Sequence, residues 1–323
     1  MKLSRRSFLG GLAVATGGLI LNETASSNPA GPLYDFHVHL FGVGDGGTGC
    51  FFSKKQREHW NYPFFLNLLG LSENGRLDQD YVNELVRQLR NSSITKGVLL
   101  SQDGRYDQAG RFDSEATNAY VPNEYLFRVV AEHPDLFIPC ASINPKRRDA
   151  VEELDRCAAA EARVLKIHPP TQDVDPSEER FRPFYRRVAE HGILLMVHTG
   201  SEHASEVTDH RLADPSRLLT ALEEGCTVIA AHTGMGSFLD KEVFREDFFL
   251  NLVELIDRFP NLYCDTAVLA SMFRWRNLPR ILEERAVLER LIYASDWPFT
   301  SNALVFWNHL TPIQLLSLCA ETN

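Results

Sequence analysis

The sequence predicts an α/β chain folded as a single (β/α)8 TIM-like barrel, and three observations lead there. Eight short, almost continuously apolar runs recur along the 323 residues. Segments with helical periodicity separate them. Histidine, lysine and aspartate then fall repeatedly at the ends of the runs.

The runs are "LYDFHVH" (33–39), "TKGVLLS" (95–101), "LFIPCASI" (136–143), "ARVLKIH" (162–168), "ILLMVH" (193–198), "TVIAAH" (227–232), "NLYCDT" (261–266) and "LIYASD" (291–296). Runs this short, rich in leucine and β-branched residues, read as strands covered on both faces. Between them, "DYVNELVRQLR" (80–90) puts Val82, Leu85, Val86 and Leu89 on one helical face. "AVEELDRCAAA", "RFRPFYRRVAEHG", "PSRLLTALEEG" and "FLNLVELIDRFP" (249–260) show the same spacing. Two of these helices end at Gly192 and Gly225, where a C-cap favours glycine. Each parallel return needs a crossover, so strands alternating with helices make a parallel sheet. Eight such units suggest closure into a barrel; an open doubly wound sheet is the alternative.

No linker rich in Pro, Gly or Ser divides residues 31–323, so they form one domain. Residues 40–78 and 102–117 are long connections, and long connections in a compact domain are commonly lids. The chain runs out soon after "TPIQLLSLCAE", so the last helix is short or the wall there is unusual.

Residues 1–30 read differently. Ser4-Arg5-Arg6-Ser7-Phe8-Leu9 precedes an apolar tract from Phe8 to Leu21, which is too short to span a membrane comfortably. The segment resembles a twin-arginine export signal and predicts a periplasmic enzyme, with cleavage between residues 22 and 31. No later stretch is long enough for a membrane span, so no stable membrane anchor is expected.

The formal net charge of −10 argues against a general nucleic-acid binder. A small molecule is the expected partner, and a homo-oligomer is left open. Six cysteines are scattered with no Cys-x-x-Cys pair, which argues against a zinc finger or a thioredoxin-type site.

Polar residues end strand one (His37-Val38-His39), strand four (Lys166-Ile167-His168), strand five (His198), strand six (His232) and strand eight (Asp296). In such barrels the chemistry sits at the C-terminal mouth. Alternate residues of a strand share a face, so His37 and His39 can reach one ion. Asp35, in the same phase, is placed to orient an imidazole. Several imidazoles and a carboxylate suit zinc or a similar divalent ion.

These phrases, "DFHVH", "VLKIHPP", "VHTG", "AHTG" and "YASDWPF", resemble the amidohydrolase superfamily, and most closely its amidohydrolase-related branch, which also contains decarboxylases and lactonases. The resemblance implies a distorted barrel with a metal site at the mouth. It implies that His37, His39, His198 and Asp296 match metal positions. It implies that His232 polarises the substrate or binds a second metal. In some members a strand-four lysine is carbamylated and bridges two ions, which makes Lys166 a ligand if the site is binuclear. One ion, zinc, is the expectation, with Lys166 otherwise an interior lysine paired with Asp35 or Asp296.

Gly42-x-Gly44-x-x-Gly47 formally matches a dinucleotide fingerprint, but no clear helix opens at its glycines, so it reads as an arm of the lid. His168, Arg105 and Trp297 are candidate substrate contacts. Arg111, Glu202, His203, Arg274 and Trp275 are further loop residues placed to choose a substrate. Phe51, Phe52, Trp60, Phe64 and Phe65 either cover the mouth or pack the lid down.

The predicted reaction is metal-assisted hydrolysis of a small ester, lactone or amide. The ion makes hydroxide available near neutral pH. Asp296 accepts the water proton and passes it to the leaving group, and His232 stabilises charge on the substrate oxygen. Non-oxidative decarboxylation on the same metal platform is the alternative, and a non-catalytic barrel is the third reading.

Overall fold

A computed structural model describes residues 31–237, 240, 247–299, 306 and 310–319. The expected export signal lies outside these residues. Eight strands, β1 (Tyr34–His39), β2 (Lys96–Leu100), β3 (Phe137–Ser142), β4 (Val164–Ile167), β5 (Leu194–His198), β6 (Val228–Ala231), β7 (Leu262–Asp265) and β8 (Leu291–Ile292), pair in chain order. Every pairing is parallel. Backbone bonds from Phe36 N to Tyr293 O (3.1 Å) and from His39 N to Trp297 O (2.9 Å) bring the chain after β8 against β1. The open-sheet alternative is thereby excluded: the barrel is nearly closed.

Crossover helices include α1 (Leu77–Asn91), α2 (Asn123–Glu132), α3 (Ala150–Ala159), α4 (Arg182–Glu190), α5 (Leu219–Glu223) and α6 (Phe248–Arg258). α1 buries Val82, Leu85 and Leu89, the face its periodicity picks out. Gly192 and Gly225 take the left-handed conformation (φ 64° and 85°) that lets the chain turn back after α4 and α5. The terminal helix is Pro312–Cys319. Among the described residues no helix is long and apolar enough to cross a membrane.

The core has two layers. Leu165, Val197, Val228 and Leu262 face outward into the helices. Val98, Val164, Met196 and Ile229 fill the barrel interior, with Phe36, Tyr263 and Ile292 beside them. Alternation along each strand sets the next inward residue toward the mouth: Lys166 continues the phase of Val164, His198 that of Met196, and Asp265 that of Tyr263. Strand β1 breaks its own phase. A register shift between Asp35 and Val38 lets Phe36 and His37 both reach the inside, while Val38 packs outward.

Cys50, Cys140, Cys157, Cys226 and Cys264 are buried and unpaired, as small core hydrophobes. The glycine tract is built around a carboxylate of its own chain. Asp78, in the first turn of α1, accepts from Val43 N (2.6 Å), Gly44 N (3.1 Å) and the Thr48 hydroxyl. A side chain at Gly42 would meet Asp78 Oδ2 at 2.5 Å. The amides that would cradle a phosphate are already satisfied.

Candidate metal centre

Three ligand atoms converge at the end of β1. His37 Nε2 and His39 Nε2 each lie 3.1 Å from Asp296 Oδ1. Metal–nitrogen and metal–oxygen bonds near 2.1 Å put neighbouring tetrahedral ligands about 3.4 Å apart, so the donor set fits one divalent ion. Asp296 and His232 both adopt left-handed backbone (φ 63° each), a conformation that costs a non-glycine residue about 1 kcal/mol and clusters at functional sites.

The electrostatics agree with ligand chemistry. Burial, reinforced by Lys166, holds the His37 imidazole well below its ordinary pKa despite the pull of Asp296. Burial likewise keeps His198 and His232 neutral. A ligating histidine must be neutral. For Asp296, burial pushes the carboxyl up, but His37, His39 and Lys166 outweigh it and leave the group below the usual carboxylate range.

Asp265, at the end of β7, is the functional residue that sequence reasoning missed. Its Oδ2 is 3.1 Å from His37 Nδ1, and its Oδ1 accepts from His232 N at 2.7 Å. It therefore fixes the His37 ring with Nε2 facing Asp296. The signal that could have found it is strand phase, since Tyr263 and Asp265 share the inward face of "LYCD". Asp35 does not orient an imidazole. The register shift turns its carboxylate to the backbone, where it accepts from His37 N (3.1 Å) and Ser295 N (2.9 Å).

Lys166 is 1% exposed, and its Nζ lies 3.2 Å from His37 Nε2 rather than against Asp35. His198 closes the floor on the far side of His232. It stacks on His168 (ring centroids 3.9 Å apart), and with Glu202 the two histidines form a second convergent group. His232 lies between the groups, its ring centroid 5.2 Å from that of His37 and 4.5 Å from that of His198. His232 Nδ1 is 3.4 Å from Ala267 O, which points Nε2 to the cavity as an acceptor.

Above this floor is a cavity of about 460 Å3, lined by His37, His39, His168, His198, His232 and Asp296 below and by Phe41, Phe52, Trp60, Phe65, Phe273 and Phe299 above. Two long connections build its roof. Phe51–Phe52 pairs with Ala119–Tyr120, which joins residues 40–76 to the loop after β2. Gln56 and Asn61 both donate to Ala204 O, at 2.8 and 2.6 Å, and pin the lid to the loop after β5. Phe52, Trp60, Phe64 and Phe65 line the cavity. Phe51 packs on Tyr120.

Arg274 also lines the cavity. It is buried, and its guanidinium donates to Met235 O at 3.0 Å and to Ser201 O. Two candidate contacts lie elsewhere. The Trp297 indole packs on Tyr81 and donates to Gln88 Oε1 (3.0 Å), because the turn after Asp296 directs it onto α1. Arg105 turns to the rim, donating to Thr171 O (2.7 Å). Arg111 pairs with Asp107 on the surface, and His203 pairs with Asp240 (2.6 Å).

A family model described as amidohydrolase matches residues 34–309. No curated protein matches the chain. Solved structures share the fold. An uncharacterised TIM-barrel protein from Bordetella bronchiseptica is 15% identical, with a TM-score of 0.60 over 90% of this chain and 95% of its own. A dihydroxybenzoic acid decarboxylase from Polaromonas, with bound manganese and 2-nitroresorcinol, is 16% identical, with a TM-score of 0.50 over 89% and 94%. An amidohydrolase from Burkholderia multivorans, with bound zinc, is 12% identical, with a TM-score of 0.50 over 90% and 96%. The family match spans all eight strands and every residue of both convergent groups, and the chain belongs to the amidohydrolase family of enzymes.

Proposed function

We propose that the chain is a metal-dependent hydrolase acting at the carboxyl carbon of a small aromatic ester, lactone or amide. The observation that carries this reading is Asp296: an ionised, buried carboxylate 3.1 Å from both imidazole nitrogens that would hold an ion. His37, His39 and Asp296 would hold a divalent ion, which would supply Lewis acidity and an activated water. Asp296 is placed to hold a proton at the cavity floor and return it to a leaving group. His37 holds its ligand tautomer through Asp265. The His232 Nε2 faces the cavity as an acceptor, so it suits a ligand or proton acceptor better than a donor to the substrate oxygen. The aromatic roof fits a flat ring and keeps bulk water from the floor.

Decarboxylation of a free aromatic acid is the second reading. The aromatic cavity favours it equally, and the Polaromonas neighbour with this fold is a decarboxylase. One experiment separates them. Metal-loaded protein is incubated with aromatic esters, lactones, amides and hydroxylated benzoic acids carrying 13C at the carboxyl carbon. Hydrolysis leaves the label in a new acid, and decarboxylation releases it as CO2. No turnover of any class by metal-loaded protein refutes both.

A further inference from the structure

We propose that the cavity takes an aromatic compound with an unbranched apolar substituent opposite its reacting carbon, and that Trp60, Phe64, Met272 and Phe273 form the doorway through which this substituent reaches solvent. The proposal rests on the reading that the ring lies in the cavity with its carboxyl carbon at the floor. It names a longer substrate than that reading requires.

Size argues for it first. A cavity of about 150 Å3 is enough to hold a benzene ring. The cavity here is about 460 Å3, so a single ring leaves most of it unfilled. The rim shows where the remainder leads. Trp60, Phe64 and Met272 line the cavity and are also 55%, 48% and 60% exposed. A side chain that does both stands where the cavity opens.

The second observation is a continuous line of rings from the floor to that opening. His39 meets Phe299 edge-on with centroids 6.2 Å apart, and Phe299 meets Phe65 at 4.7 Å. Phe65 packs on Phe64 (5.4 Å) and Phe64 on Trp60 (6.1 Å). Trp60 then reaches Phe273 of the loop after β7 (6.5 Å). The line begins beside a candidate metal ligand and ends in solvent. Arg274, next to Phe273, turns its guanidinium to Met235 O and Ser201 O, so it does not set the chemistry of the opening.

The lid sequence is written for this wall. The helix Asn61–Leu69, with Trp60 at its N-cap, reads "NYPFFLNLL". A surface helix normally carries one apolar stripe and a polar face. This one lines the cavity with Phe65, Leu66 and Leu69 and leaves Trp60 and Phe64 at the edge. Contiguous exposed apolar surface marks binding grooves. Its continuity with the cavity names the occupant: the part of the ligand that the floor does not hold.

The test is binding, which needs no turnover. Calorimetry measures Kd for benzoate and its 4-methyl, 4-butyl and 4-hexyl derivatives on the full chain. Wild-type Kd is expected to fall about threefold per added carbon up to butyl, close to the effect of burying a methylene. In Met272→Ser and in Phe64→Ser the step is expected to shrink to about twofold or less. A wild-type Kd that does not fall with chain length overturns the proposal, and turnover of an unsubstituted aromatic ester then decides the hydrolase reading separately. Equal steps in wild type and Met272→Ser also overturn it, and sedimentation shows whether the face is instead a contact between two copies of the chain. Steps that shrink in the variants, with no turnover of any aromatic substrate, leave the doorway standing and refute the hydrolase reading. If Phe64→Ser fails to fold, as judged by its melting transition, Met272→Ser decides alone.

Discussion

Asp265 Oδ2 lies 3.1 Å from Nδ1 of His37 and links β7 to the histidine pair of β1. This contact determines which nitrogen of His37 can face an ion. Asp265→Asn presents an amide N–H to Nδ1, moves the proton to Nε2 and removes a ligand. Metal affinity should fall about 10- to 100-fold, the usual effect of losing such a partner. Competition with a chromophoric chelator measures it, and unchanged affinity would show that the contact does not orient the ring.

The same carboxyl predicts a pH dependence. Burial raises the Asp265 pKa from 3.8 to about 6, against the pull of the His232 amide and Lys166. A group whose folded pKa is raised contributes stability that is fully present below its unfolded pKa and is lost as pH rises through its folded pKa. Metal-free wild type should therefore lose stability relative to Asp265→Asn between pH 4 and pH 7, by about 3 kcal/mol. Denaturant melts at both pH values check this; a difference that does not change with pH contradicts it.

Lys166 is placed to compete with an ion for His37. Its Nζ sits 3.2 Å from His37 Nε2, where an ammonium donates to the lone pair a metal needs. Burial lowers its pKa, while Asp265 and Asp296 work to raise it. Replacing it with methionine removes a positive charge beside the position between His37, His39 and Asp296. One unit charge about 5 Å away, at an effective dielectric of about 20, is worth several kcal/mol, so Lys166→Met should bind metal at least about tenfold more tightly. Weaker binding by the variant would instead make Lys166 a ligand, as in the carbamylated arrangement.

Asp78 organises the glycine tract. Removing its carboxylate leaves Val43 N, Gly44 N and the Thr48 hydroxyl without their acceptor. Asp78→Ala should lower stability by about 2–4 kcal/mol, the range for several groups losing a charged partner in a part-buried site. Calorimetry with nucleotides should show no binding to wild type; a nucleotide that binds and protects the Gly42–Gly47 segment would revive the phosphate-loop reading.

The barrel was legible because its strands are buried on both faces, and continuous apolar runs mark such strands with little ambiguity. All eight runs contain their strands. Much of the site was legible for a related reason: a polar residue at the C-terminal end of such a run faces the mouth. Asp265 escaped because its role depends on a ring 228 residues away, and "YCDT" has no motif of its own. Asp35 was assigned by a strand phase that the register shift breaks. Arg105 and Trp297 follow strand ends, and the direction of such a residue is decided by tertiary packing, here against Thr171 and Tyr81.

The most direct test of the account is to follow bound metal and turnover together on one preparation of the full chain while a chelator withdraws the ion. Metal held by His37, His39 and Asp296 predicts that turnover of the best aromatic substrate falls in parallel with bound metal and returns when zinc or manganese is restored. Full turnover by metal-free protein would contradict it.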